Sequence, residues 1–368
     1  MNRRIFHSLI IGWLLVLAGS LAAHGVSEPT GDFEGNPELT TYGTVKSVLG
    51  IQNEQLLNGE QIRRQVLQVE LADGQLVETV NPIIDNLNFH LEAKAGDQLI
   101  IRRAAGAYFV EGYRSDWVAW LLLAVFAVTV LLIGGLKGIL TLCSLVAKYL
   151  LLVYLWIPLI KSGLPPLLVT SGFCVLAAAV TIGWVSGLNR KSLAAILGAI
   201  GGVIVAGLLG SWAVSAAEIS GLLEPNNQAL LAQLPKLNIP ALIASGILIG
   251  ALGATMDVAI SIASAVQEIK LAAPESTMRQ LYQAATNVGR DVMGTMVNTL
   301  ILAYVGSAAA SIILFSELSA FDLLNNELVM QEVILGLVGS IGLVLTIPLT
   351  AICSAQLLST NPPQTKSS

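Results

Sequence analysis

Runs of apolar residues punctuated by short polar turns dominate the chain, and only one long stretch breaks that rhythm. A bilayer core about 30 Å thick is crossed by about 20 apolar residues in a helix. Runs of that kind occupy 5–23, 117–135, 139–160, 166–187, 192–214, 240–263, 293–314 and 332–356. The first has Arg3 and Arg4 ahead of its apolar stretch and Ser20-Leu21-Ala22 behind it. That pattern suits a cleaved signal peptide and a retained anchor helix alike. The other seven runs predict membrane-spanning helices. The polar exception, 24–116, alternates with period two: Leu67, Val69 and Leu71 against Gln68 and Glu70, then an Asp73-Gly74 turn into 76–80. Further alternating runs at 43–49, 97–103 and 107–113 predict five short strands, enough for a small barrel of OB-like type. The fold class expected is thus an all-α polytopic bundle of seven spans, preceded by a signal or anchor helix and a small extracytoplasmic β-barrel-like domain.

Composition strengthens this picture. Only 12% of the 368 residues are charged, 54% are hydrophobic and the mean hydropathy is +0.74. Soluble domains carry about 25% charge, so a water-facing surface over the whole chain is excluded. Lys and Arg are placed unevenly. With the N-terminus inside, the inner segments hold Arg3, Arg4, Lys137, Arg190, Lys191, Lys270, Arg279, Arg290 and Lys366, and the short outer loops hold only Lys161 and Lys236. Block 24–116 then lies outside, with 14 acidic against 7 basic residues. An acidic outer barrel lacks the basic, aromatic-studded face that nucleic acid requires. A bilayer is the partner the spans demand; the outer domain suits a structural cap or a surface for a peptide, a glycan or an envelope protein, and the protein as a whole is open to self-association. The segment 264–292 carries Met278, Leu281, Tyr282, Ala285 and Val288 at helical intervals after Pro274-Glu275. This fits either an amphipathic helix on the cytoplasmic face or a packed connector. The tail 359–368 is rich in Pro, Ser and Thr and is expected to be disordered.

Candidate chemistry is sparse. Cys143, Cys174 and Cys353 fall in apolar stretches, and His7, His24 and His90 are scattered, so neither a disulfide framework nor a metal site is expected. No cofactor motif, His-Glu-x-x-His or Gly-x-Ser-x-Gly appears. Asp257 and Asp291 resemble the carboxylate pair of an intramembrane aspartyl protease only loosely, since Arg290 stands where a Gly-x-Gly-Asp motif has glycine. No catalytic residue and no enzymatic activity are expected.

Charged groups inside spans are costly and mark functional positions. Lys148 and Asp257 are the two well inside the apolar runs. Gly246, Gly250 and Ala254, with Gly253, give the outer half of the Asp257 span a small-residue face for helix packing. Ser261, Ser264 and Glu268 follow Asp257 at four, seven and eleven residues, on one face running to the cytoplasmic end. The next span shows a matching stripe of Asn287, Asp291, Thr295 and Asn298, with Arg290 near its mouth. Set face to face, the stripes would line a polar notch for an ion or small solute. Alternatively, Asp257 pairs with Asn298 or Lys148 and simply locks helices together.

The stretches GATMDVAISIASAVQEI and NVGRDVMGTMVNTLILAYVG resemble the signature region of the YibE/F-like family of bacterial multi-pass membrane proteins. The resemblance extends from about residue 40 to 356 and is most specific over 250–306. It implies a polytopic α-helical protein of the bacterial plasma membrane. It carries no activity and no site residue to this chain. A sensor or scaffold acting through the outer barrel is therefore the second expectation beside a transporter or channel component.

Overall fold

The structure, a computed structural model, describes residues 39–55, 61–84, 92–104 and 106–359. The first apolar run, 5–23, and the tail beyond residue 359 lie outside the described residues. The chain divides into two compact units, 1–132 and 133–368.

The first unit holds a closed five-stranded barrel in the order β1-β2-β3-β5-β4. Its strands are β1 (Leu39–Gln55), β2 (Gln61–Leu71), β3 (Leu76–Ile84), β4 (Gln98–Ala104) and β5 (Ala107–Tyr113). Each alternating run read from the sequence forms one of them. Inward positions Val45, Leu67, Val69, Leu71, Val77, Leu99 and Ile101 make the core. β1 pairs with β4 through its first residues and with β2 through the rest. At the changeover Gly43 packs directly on the Val69 side chain, leaving no room for a Cβ. Register shifts after Val45 and Val48 bend the strand around the barrel. A parallel pairing of β3 with β5 completes the closure.

Helices follow. They are α1 (Asp116–Leu151), a π-helical turn at Leu152–Trp156, α2 (Ile157–Lys161), α3 (Pro166–Ser186), α4 (Arg190–Ala216) and α5 (Pro225–Gln233). Then come α6 (Ile239–Ala272), α7 (Met278–Ser307), α8 (Ala309–Leu314), α9 (Ala320–Asn325) and α10 (Glu327–Ser359). Among the described residues five helical runs are long and apolar enough to cross a membrane: Asp116–Lys161, Pro166–Ser186, Arg190–Ala216, Ile239–Ala272 and Glu327–Ser359. Three expected spans are thus not each a separate apolar helix. The runs 117–135 and 139–160 join in one 46-residue helical stretch, interrupted at Gly135 with φ 51°. The run 293–314 is divided, because α7 ends at Ser307 and starts far upstream among polar residues.

The second unit is held by close backbone approach. Gly198 and Gly202 of α4 lie directly on Thr350 and Thr346 of α10, and a Cβ on Gly342 would stand 2.7 Å from that of Ala206. Small residues at every fourth position allow this contact. Thr346 donates its hydroxyl to the Gly342 carbonyl at 2.9 Å, whereas the buried Thr350 hydroxyl one turn further along has no hydrogen-bond partner. α6 packs between this pair and α3, sealing Ile247, Leu248, Ala251, Val258, Ile262 and Val266.

Candidate functional site

α6 begins at Asn238, whose side chain accepts from the Ala241 amide at 2.9 Å, with Pro240 in the first turn. It runs unbroken to Ala272. α7 begins at a capping box: the Thr277 amide donates to Gln280 Oε1 at 2.8 Å, and the Gln280 amide donates to Thr277 Oγ1 at 3.3 Å. This places the helix cap three residues beyond Pro274, and the stripe in 264–292 continues into the following helix. Leu281 and Ala285 are fully buried in a core shared with α6 and α10, so on those residues the segment is a packed one.

The two helices run antiparallel. The Tyr304 hydroxyl lies directly over Gly250, and Gly289 fits against Ile262 and Ile347. Between those contacts Asp257 is level with the Thr295–Asn298 turn, and Ser261 with Asp291. Asp257, Ser261 and Glu268 are exposed and Ser264 is half-buried, all on the side of α6 opposite its packed face. Asn287, Arg290, Asp291, Thr295 and Asn298 are likewise exposed on α7. The stripes are level with one another but not interlocked, for among the described residues no hydrogen bond or ion pair joins them. Thr295 donates to its own helix, to the Val292 carbonyl at 3.0 Å. Arg290 forms no ion pair with Asp291 or Glu268. The physical reason is that Val258, Ile262, Val266, Leu281, Ala285 and Met293 claim the shared core and leave the polar residues outside it.

The small residues divide. A Cβ on Gly246 or Gly253 would meet nothing within 4 Å, whereas Gly250 is covered by Tyr304 and Ala254 packs toward the α7–α10 core. Lys148, half-buried on α1, acts electrostatically on Asp257, with no ion pair between them within 4.0 Å. Asp257 makes no hydrogen bond to Asn298. Neither expected partner locks the carboxylate.

Two features escaped the sequence reading. The seam of Gly198, Gly202, Ala206 and Gly210 against Gly342, Thr346 and Thr350 carries the same four-residue spacing as the Gly246 stripe, and that spacing was its visible signal. Glu332 and Tyr304, which interact electrostatically near the Gly250 contact, sit at the very edge of an expected span and in a predominantly apolar one.

A family model described as YibE/F-like protein matches residues 122–360, well over half of the chain. The chain belongs to the YibE/F-like family. The match takes in both polar stripes, the glycine seam and every apolar helix from α1 onward. Its N-terminal limit lies after the barrel, so the resemblance from residue 40 is shortened, and the barrel is an element of this YibE/F-like protein outside the matched region. Comparison with curated proteins and with solved structures yields no match.

Proposed function

We propose that this YibE/F-like protein is a transporter or channel component for an ion or small solute, entered from the cytoplasmic side along the open face of α6. The observation that supports this reading is Asp257 itself. It stands near the middle of an apolar helix, on the open side, free of any close ion pair, with hydroxyls and a carboxylate continuing the same face toward Lys270. A carboxylate in that position is tolerated where water or a neighbouring helix reaches it, and Lys148 supplies a compensating charge at a distance.

The same proposal takes the spans to be seven. At 1.5 Å per residue the 46-residue run would extend about 70 Å, more than twice the bilayer core. The Gly135 break divides it into two helices of spanning length, and α7 supplies the remaining crossing. The barrel's strand order and its Greek-key closure support an OB-like label. The excess of Lys and Arg at one end of the bundle supports a barrel outside a bacterial plasma membrane.

The test is flux. Asp257→Asn in proteoliposomes is expected to abolish transport while protein level and melting temperature hold. Wild-type flux from the variant would remove the proposed role. A second reading, a sensor or scaffold acting through its barrel without transport, draws on the barrel's own core and on exposed Val48, Leu49, Ile51 and Phe109. Under that reading, deleting 24–112 removes the cellular phenotype and Asp257→Asn alters stability alone.

A further inference from the structure

Lys148 and Asp257 are the two charged side chains set well inside the apolar runs, and the packing of α1 brings them to one level. Leu151, three residues after Lys148, packs with Leu152 and Trp156 onto the cluster that holds Met256, Ala259 and Ala263 of α6. The Trp156 ring N–H donates to Thr170 Oγ1 at 2.8 Å, which ties this end of α1 to α3. Asp257 follows Met256, on the strip of α6 left open between that cluster and the α7 contacts at Gly250 and Ala254. The carboxylate therefore has Lys148 of α1 on one side and the Thr295–Asn298 turn of α7 on the other. The two charges act on each other without an ion pair within 4.0 Å.

The backbone of Lys148 is fixed by this packing, but its four-carbon stem is free to swing. Asp257 is exposed and Lys148 half-buried, so an arriving solute meets the carboxylate first. The groups level with it offer oxygen. Thr295 gives its proton to the Val292 carbonyl and keeps its lone pairs, while Asn298 and Ser261 add an amide and a hydroxyl. An anion would meet the carboxylate's repulsion. Calcium and magnesium take six or more oxygens or keep their waters, and a single carboxylate already facing an ammonium serves them poorly. A proton needs only the carboxylate, whereas neutral oxygens around it replace the hydration shell of a weakly charged metal ion. One positive charge also exchanges evenly: Asp257 is neutralised by the ammonium when the site is empty and by the ion when it is filled. We propose that Asp257 binds a monovalent alkali-metal cation, and that Lys148 is the tethered cation that takes its place when the site is empty. The cation is the solute class of the transport reading, on which this assignment rests.

Radioactive sodium and rubidium, a small ion and a large one, are the probes for the full-length protein in nanodiscs. Saturable binding of at least one is expected, and its loss in Asp257→Asn. Lys148→Gln removes the competitor and is expected to tighten binding about tenfold, the effect of one unit charge several ångströms away. Lys148→Arg restores the charge and is expected to bind more weakly than Lys148→Gln. A lysine that merely held helices together would give the opposite order. Unchanged or weaker binding in Lys148→Gln would overturn the proposal. So would displacement by calcium at lower concentrations than by sodium or rubidium, or no saturable binding of either ion. The transport reading fails separately. Cation binding without flux of that ion in proteoliposomes would remove transport and leave the exchange, whereas flux of an anion or neutral solute without cation binding would do the reverse.

Discussion

Glycines at the same four-residue spacing meet opposite surroundings in α4 and α6. A Cβ on Gly202 would run into the Thr346 hydroxyl and stand 2.9 Å from the Gly342 carbonyl oxygen, both fixed parts of α10. Gly202→Ala gains at most about 1 kcal/mol in helix propensity. The overpacking costs about 1–3 kcal/mol, so the net effect is destabilising. The melting temperature of the detergent-solubilised protein is expected to fall. Gly246→Ala and Gly253→Ala, with nothing within 4 Å, are expected to leave it unchanged or raise it. A fall in those two variants would show that another helix covers this face in the native assembly. Spacing alone could not separate the two stripes. Which one forms a seam depends on a partner helix more than a hundred residues away in sequence, with small residues at the matching positions.

At the scale of elements, the barrel shows how one buried polar side chain can hold a loop. Gln65 Nε2 donates to the Ala93 carbonyl at 2.8 Å, and Gln65 Oε1 accepts from the Ala93 amide at 2.9 Å, both in a buried setting. Gln65→Leu keeps the volume and leaves both Ala93 groups unpaired, at about 3 kcal/mol. Proteolysis of the full-length variant within the barrel is expected to accelerate; a rate equal to wild type would mean that water replaces the amide. All five strands were legible, because a half-buried strand writes a period of two into its sequence. The long apolar helices were legible for the same reason of burial, but helix ends were not, and the short polar helices α5 and α9 left no such pattern. The break after Ser307 falls at Ala308, the first of three alanines, with no Pro near it and its glycine, Gly306, inside the helix. The Gly135 interruption is one of two adjacent glycines whose conformation the pattern leaves undetermined. The polar stripes were legible as stripes; their facing was not, since periodicity states which residues share a side and not what lies across from it.

For the whole molecule, the placement of the bundle's ends turns the charge bias into a geometric statement. Arg190 donates to the Leu357 carbonyl at 3.3 Å, joining the start of α4 to the end of α10. At the opposite end the Glu327 carboxylate accepts from Ser220 Oγ at 2.9 Å and from the Gly221 amide. Since α6 runs against α4, Lys270 and Arg279 share the Arg190 end, while Lys236 shares the Glu327 end. Single cysteines at Lys161, Lys236 and Arg279, in a background without Cys143, Cys174 and Cys353, test this with a membrane-impermeant maleimide on intact spheroplasts. Lys161→Cys and Lys236→Cys are expected to label, and Arg279→Cys only after permeabilisation. A further cysteine at the exposed Lys94 of the barrel decides the number of crossings. If the stretch Asp116–Lys161 crosses twice, positions 94 and 161 label from the same side; if it crosses once, they label from opposite sides. Opposite labelling would leave Gly135 as a kink within one tilted helix, remove one span from the proposed seven, and place the barrel on the same side as the basic end of the bundle.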